Sequence, residues 1–189
     1  MLRVATRQLV REGKRTAVRK LRAYVLVETT RVVSAYMNGR FRFFENDTGR
    51  GGEPIPIQHG YQPGAFITFK NFGQTPAHDV EMFGNVAIVP WPIREADLPA
   101  LDLGTGSREI VGPGGTRRKI ELFAQPHAIT PQEWAGPTSG TQALVFFGEV
   151  RYVDAFNENR ITRYRLFCGG EMGIRGLELS AHFEGNSYS

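Results

Sequence analysis

The pattern that most limits how this chain can fold lies between residues 144 and 168. Two apolar runs, Leu144–Phe156 and Ile161–Cys168, flank the polar segment Asn157-Glu-Asn-Arg160. Val150 alternates with Tyr152, and Tyr164 with Leu166, so each run carries one core face at the period of a strand. The pattern predicts an antiparallel hairpin. Similar punctuation recurs along the chain. Strands are predicted over 22–33, inside 41–44, over 65–70, 79–89 and 117–123, and finally over 177–183. Pro90 and Pro92 are expected to stop the fourth of these. The 22 Gly and 11 Pro among 189 residues fall mainly between the runs, as turns require.

One compact helix signal stands apart. Thr130-Pro-Gln-Glu133 places a capping threonine, a proline at the first helical position and a glutamate three residues after the cap. Gly136-Pro137 is expected to end that helix after one or two turns. With so little helix, the expectation is an all-β fold: an antiparallel sandwich of about seven strands, preceded by a basic N-terminal helix. The domain reading is an arm over 1–21 and a sandwich over 22–189.

The formal charge of +4 is a sum over two unlike parts. Residues 1–22 hold Arg3, Arg7, Arg11, Lys14, Arg15, Arg19, Lys20 and Arg22 against Glu12, a net of +7. The remaining 15 basic and 18 acidic residues net to −3. Leu2, Ala5, Leu9, Thr16, Ala17 and Leu21 follow a loose helical stripe in the arm, weakened at Gly13 by about 1 kcal/mol relative to alanine. No aromatic side chain is interleaved with these cations, so bases have no stacking platform there. The arm reads as a solvated helix or as contact with an anionic membrane surface through Arg3, Arg7, Arg11, Lys14, Arg15, Arg19 and Lys20. The sequence contains no apolar run of spanning length and no signal-peptide pattern, so the expectation is a product that is neither exported nor membrane-spanning.

Chemical motifs are sparse. His59, His78, His127 and His182 never pair at helical ligand spacing, and His78-Asp79 is the nearest approach to a metal pair. No metal or cofactor is expected. Cys168 is the sole cysteine, which excludes an internal disulfide framework; at the end of an apolar strand it reads as a small core side chain. Gly104-Thr-Gly106, Gly112-Pro-Gly-Gly115 and Gly170-x-x-Gly173-x-x-Gly176 lack the Lys-Ser/Thr ending of a phosphate loop. Glu149 and Asp154, at odd separation on one predicted strand, fall on opposite faces. Arg117-Arg-Lys119 and Arg160, Arg163 and Arg165 would join into a basic patch if their strands were neighbours. No catalytic residue is assigned.

Leu21-Arg-Ala-Tyr-Val25 after the basic stretch, Lys70-Asn-Phe-Gly-Gln-Thr-Pro-Ala77 with Val80, and Gly148-Glu-Val-Arg-Tyr-Val-Asp-Ala-Phe156 followed by Arg163-Tyr resemble a family of uncharacterised proteobacterial proteins. Gly185-Asn186 is similar too. In that family one or two membrane-spanning helices precede a basic helical connector and a β-sandwich. The Asn-x-Gly…Pro-Ala…Val segment also resembles a strand–turn–strand signature of bacterial immunoglobulin-like modules, which makes the expected sandwich immunoglobulin-like. The resemblance implies no catalytic residues. This chain departs from it by lacking the spanning helix, so it reads either as a soluble member or as one whose start lies downstream of the true one. A basic connector after a spanning helix lies on the cytoplasmic side, in keeping with the absence of disulfides.

The functional expectation is a non-enzymatic interaction module on the cytoplasmic side of the inner membrane. Its partners would be an anionic membrane surface or a membrane-embedded protein, together with an unidentified protein. One alternative is nucleic-acid or anionic-polymer binding, disfavoured by the −3 body. A second is a hydrolase with its site in loops 38–63 and 93–116, which are long for a sandwich.

Overall fold

In the computed structural model, residues 12–13, 16–17, 20–37, 41–45, 61–104, 106–123, 130–172 and 179–189 are described. β-Branched and aromatic runs form the long strands β1 (Val25–Met37), β3 (Tyr61–Asn71), β4 (Ala77–Pro90), β7 (Gln142–Val153) and β8 (Asn159–Gly169). Shorter strands are β2 (Phe41–Glu45), β5 (Glu109–Val111), β6 (Thr116–Leu122), β9 (Ser180–Ala181) and β10 (Ser187–Tyr188). All pair antiparallel. One sheet has the order β2-β1-β3-β6; the other runs β10-β8-β7-β4-β5, with β9 beside β8. The fold is thus all-β, with two antiparallel sheets and one well-formed short helix among the described residues.

The core lies between the sheets. Ala65, Ile67 and Phe69 alternate inward from β3 and meet Val80 and Val86 of β4, Leu144, Phe146 and Val150 of β7, and Leu166 and Cys168 of β8. The Phe69 and Tyr164 rings meet edge to face at 5.3 Å. A second apolar cluster lies on the outer face of the larger sheet, where Ala87, Val89, Ala143, Val145 and Phe147 are covered by Trp91, Ile93, Leu98 and Leu101. Strand β7 is therefore buried on both faces, which is why Ala143–Phe147 reads as a continuous apolar run.

The Asn71 side chain ties three segments together and is fully buried. Its Oδ1 accepts from the amides of Tyr24 (3.1 Å) and Gly73 (2.9 Å), and its Nδ2 donates to the carbonyls of Thr75 (2.8 Å) and Val111 (3.0 Å). Gly73 admits no side chain, because a Cβ there would lie 2.0 Å from the Arg22 carbonyl oxygen. The Asn-x-Gly motif is thus a clasp joining the start of β1, the β3–β4 turn and the end of β5.

Several expectations need correction. Ten strands are present among the described residues, against about seven expected. Loop 93–116 contains β5; of the strand expected over 177–183, residues 177–178 lie outside the described residues and the rest holds the short strand Ser180–Ala181. Pro90 closes β4 from within, where it needs no further ladder amide. Helix α1 (Pro131–Ser139) has the predicted Thr130/Glu133 capping box, but it continues through Gly136-Pro137 to a left-handed Gly140 (φ 87°). Hydroxyls of Thr138 and Ser139 bond the carbonyls of Trp134, Ala135 and Gly136 near the end of that last turn. Asp154 lies in the β7–β8 turn and not on the strand with Glu149.

Candidate functional site

Of the arm cations, only Lys20 falls among the described residues. It is helical and exposed, as are Glu12, Gly13, Thr16, Ala17 and Leu21. Arg3, Arg7, Arg11, Lys14, Arg15 and Arg19 lie outside the described residues. No described helix is long and apolar enough to cross a membrane.

The histidines do not assemble. His78 is exposed beside Asp79, a bulge residue at φ 48°. His182 is buried, its Nδ1 accepting from the Glu184 amide at 3.2 Å. His59, His127, Gly173 and Gly176 lie outside the described residues. Among the described residues no three His, Cys, Asp or Glu side chains are grouped as metal ligands. Cys168 is buried in the core, where desolvation pushes its thiol up to about 12.

The postulated basic patch does not form. Strand β6 belongs to one sheet and β8 to the other, so Arg117-Arg-Lys119 and Arg160–Arg165 are not neighbours. Their charges are spent locally: Arg117 pairs with Glu109, Lys119 with Glu121, Arg160 with Asp154, Arg163 with Glu149 and Arg165 with Glu95. Arg118 lies over the Phe66 ring, 5.4 Å from its centroid.

Two polar clusters stand out. The first is inside the sandwich. Gly84 and Gly148 pair across β4 and β7, and a Cβ on Gly148 would lie 2.1 Å from the Phe83 carbonyl oxygen. The space they leave takes the Tyr164 hydroxyl, which donates to Glu121 Oε1 (3.2 Å), while Lys119 Nζ binds that same oxygen at 2.9 Å and the Met82 carbonyl at 2.9 Å. Burial foremost, then the Glu121 charge, hold the Tyr164 hydroxyl well above its ordinary pKa. This cluster is closed by its own bonds and joins β6 to the facing sheet.

The second opens to the surface. On the outer face of the larger sheet, the apolar cover over β7 ends where Phe147 and Arg165 stand opposite each other in register. Beyond that point the face carries Glu149, Arg151 and Arg163. A cleft of about 300 Å³ lies at this boundary, walled by Leu98, Pro99, Ala100 and Leu101 on one side and by Arg163, Arg165 and Glu149 on the other. The Arg165 side chain is 5% exposed, whereas that of Glu95, which its Nη2 bonds, is 82% exposed. Nε and Nη1 of Arg165 are buried with no hydrogen-bond partner among the described residues. Each such orphan donor costs roughly 1–3 kcal/mol.

The chain around Arg165 is built to hold it. Asn186 bonds its backbone on both sides, accepting from the Arg165 amide at 2.9 Å and donating to its carbonyl at 3.3 Å. Gly185, at φ 82°, packs on the guanidinium so closely that a Cβ would meet Cζ at 2.5 Å. Sequence reasoning noted Gly185-Asn186 and Arg165 separately and missed their union. Only the strand alternation, which turns Arg165 away from the core face of Tyr164 and Leu166, hinted at it. Loop 93–116 contributes one wall of the cleft; loop 38–63 lies largely outside the described residues.

No protein-family model matches the chain, and no curated protein matches it. Two solved structures are similar. One is the crystal structure of a candidate ApaA protein from Bordetella pertussis, 14% identical, covering 79% of this chain and 95% of that one at a TM-score of 0.39. The other is an X-ray structure of a structural genomics target, also 14% identical, covering 85% and 96% at a TM-score of 0.41. Likeness at this level assigns neither family nor function.

Proposed function

We propose that this chain is a non-enzymatic interaction module: an immunoglobulin-like sandwich associated with the cytoplasmic face of a membrane through its basic arm. The observation that carries this reading is how the positive charge is distributed along the chain. Every described Lys or Arg side chain of the body is engaged, nine in ion pairs and Arg118 over a ring. Surface ion pairs cancel much of each other's field, and Arg22 is itself paired with Asp154, so residues 1–21, with seven cations against Glu12 and a net of +6, are the main concentration of positive charge. Near an anionic leaflet each such cation contributes about 1 kcal/mol, falling off within a Debye length.

Vesicle sedimentation tests it. The full chain should bind phosphatidylserine-containing vesicles and ignore pure phosphatidylcholine. Deleting residues 1–20, which leaves the Arg22–Asp154 contact intact, should abolish binding without altering thermal unfolding. Unchanged binding after the deletion would overturn the reading. Tighter retention on duplex DNA at the same salt would transfer it to nucleic acid.

A further inference from the structure

We propose that the Arg165 cleft is a binding site for the carboxylate of a ligand with a short apolar stem, and that the Glu95 carboxylate occupies the anion position until such a ligand displaces it. The proposal does not depend on the arm or on membrane association.

Four observations carry it. Arg165 presents a guanidinium, the side chain whose fork of N–H donors fits a carboxylate through two parallel hydrogen bonds. Only Nη2 is engaged by Glu95, and Nε and Nη1 have no partner among the described residues. The anion now present is replaceable, because Glu95 is mostly exposed on a short 3-10 turn (Glu95–Asp97) outside both sheets. The cation is not: Asn186 and Gly185 fix it from behind.

Charge selects the ligand class. The cleft is lined by Arg163 and Arg165 and by Glu149 and Glu95, and Arg151 of the same sheet face shares Glu149 with Arg163. Once Glu95 swings out, Glu149 still holds Arg151 and Arg163, and only the Arg165 guanidinium is left without its anion, which suits a single carboxylate. Shape supplies the rest. Leu98, Pro99, Ala100, Leu101 and Phe147 form an apolar wall beside the guanidinium, and about 300 Å³ is the scale of a small acid or the last residue of a peptide. The shared chemistry is thus a carboxylate with a branched or short aliphatic neighbour.

Titration of the full chain by two-dimensional amide NMR, to about 10 mM ligand, tests this in the weak-binding range. The probes are 3-methylbutanoate, its neutral amide, inorganic phosphate, and acetyl-Ala-Ala-Leu with a free or an amidated terminus. The expected result is saturable shifts at residues 95–101, 163–165 and 185 with the free acids only. Glu95→Ala should tighten acid binding about two- to five-fold, the strength of an exposed ion pair. Arg165→Lys should weaken it roughly ten-fold or more. Binding of the peptide acid alone would mark a chain terminus as the source, and binding of 3-methylbutanoate alone a small acid; both support the proposal. Equal binding of acid and amide, stronger binding of phosphate, or no shifts in either wild type or Glu95→Ala would overturn it. Should Arg165→Lys fail to fold, the Glu95→Ala and amide comparisons still decide.

Discussion

Asn71 offers the sharpest test of how this fold is held. Replacing it by alanine removes four hydrogen bonds at once and strands the amides of Tyr24 and Gly73 and the carbonyls of Thr75 and Val111. At about 1 kcal/mol for each group, the loss is roughly 4 kcal/mol, a large share of the stability of a domain this size. For a chain of this length that lowers Tm by roughly 8–16 °C. Asn71→Asp separates the acceptor half of the clasp from the donor half. One aspartate oxygen still accepts from Tyr24 and Gly73, but the other faces two carbonyl oxygens where an amide nitrogen stood. The carboxyl is buried and opposed by like partial charges, so its folded pKa rises above its unfolded value of about 3.9. A raised folded pKa means that the variant's deficit is smallest below the unfolded pKa and grows as pH rises through the folded one. Urea unfolding followed by circular dichroism between pH 4 and pH 8 reads both effects. A loss below about 1 kcal/mol for Asn71→Ala, or a pH-independent deficit for Asn71→Asp, would refute the clasp.

Two further outcomes follow from buried groups. Burial of Asp154 works to raise its pKa, but Arg160, the amides of Glu158 and Phe156, and the Arg160 charge outweigh it, so the carboxyl titrates below its ordinary value. Its stabilisation is therefore present above about pH 3.9 and lost as pH falls through the folded pKa, and Asp154→Asn should flatten the acid limb of stability against pH measured by urea unfolding. Cys168, pushed up to about 12, should resist a thiol alkylating reagent at pH 8 in the native state and react only at the rate of unfolding, as measured by mass spectrometry.

What the sequence made legible was local. The β7–β8 hairpin and the Thr130/Glu133 box could be read because each is a pattern of neighbours, set by a period of two or a spacing of three. Asn71 was legible as a turn residue only: two of its partners, Tyr24 and Val111, are 47 and 40 residues away, and no periodicity records such bonds. The supposed basic patch failed for the same reason, since residue spacing does not say which sheet a strand joins. The helix overran Gly136-Pro137 because its stop is the left-handed Gly140, whose amide bonds the Gly136 carbonyl, three residues past the proline. Glu95 and Arg165 are 70 residues apart, one on a turn and the other on a strand.

The ion pairs themselves distinguish what holds the fold from what is free to bind. Arg160 and Asp154 form a pair in which both side chains are nearly buried, at 11% and 0% exposure, and the carboxylate also takes two backbone amides. Both desolvated charges there are compensated, as a structural pair requires. Arg165 and Glu95 do not fit that pattern. The cation is 5% exposed and has two donors without a partner among the described residues, while the anion stays in solvent and gains little from the contact. An apolar side chain at 165, continuing Phe147 and Phe167, would cover the same sheet face without that desolvation cost. A guanidinium held in place by Asn186 and Gly185, opposite a glutamate that is free to leave, is the arrangement a recognition site requires and a core does not.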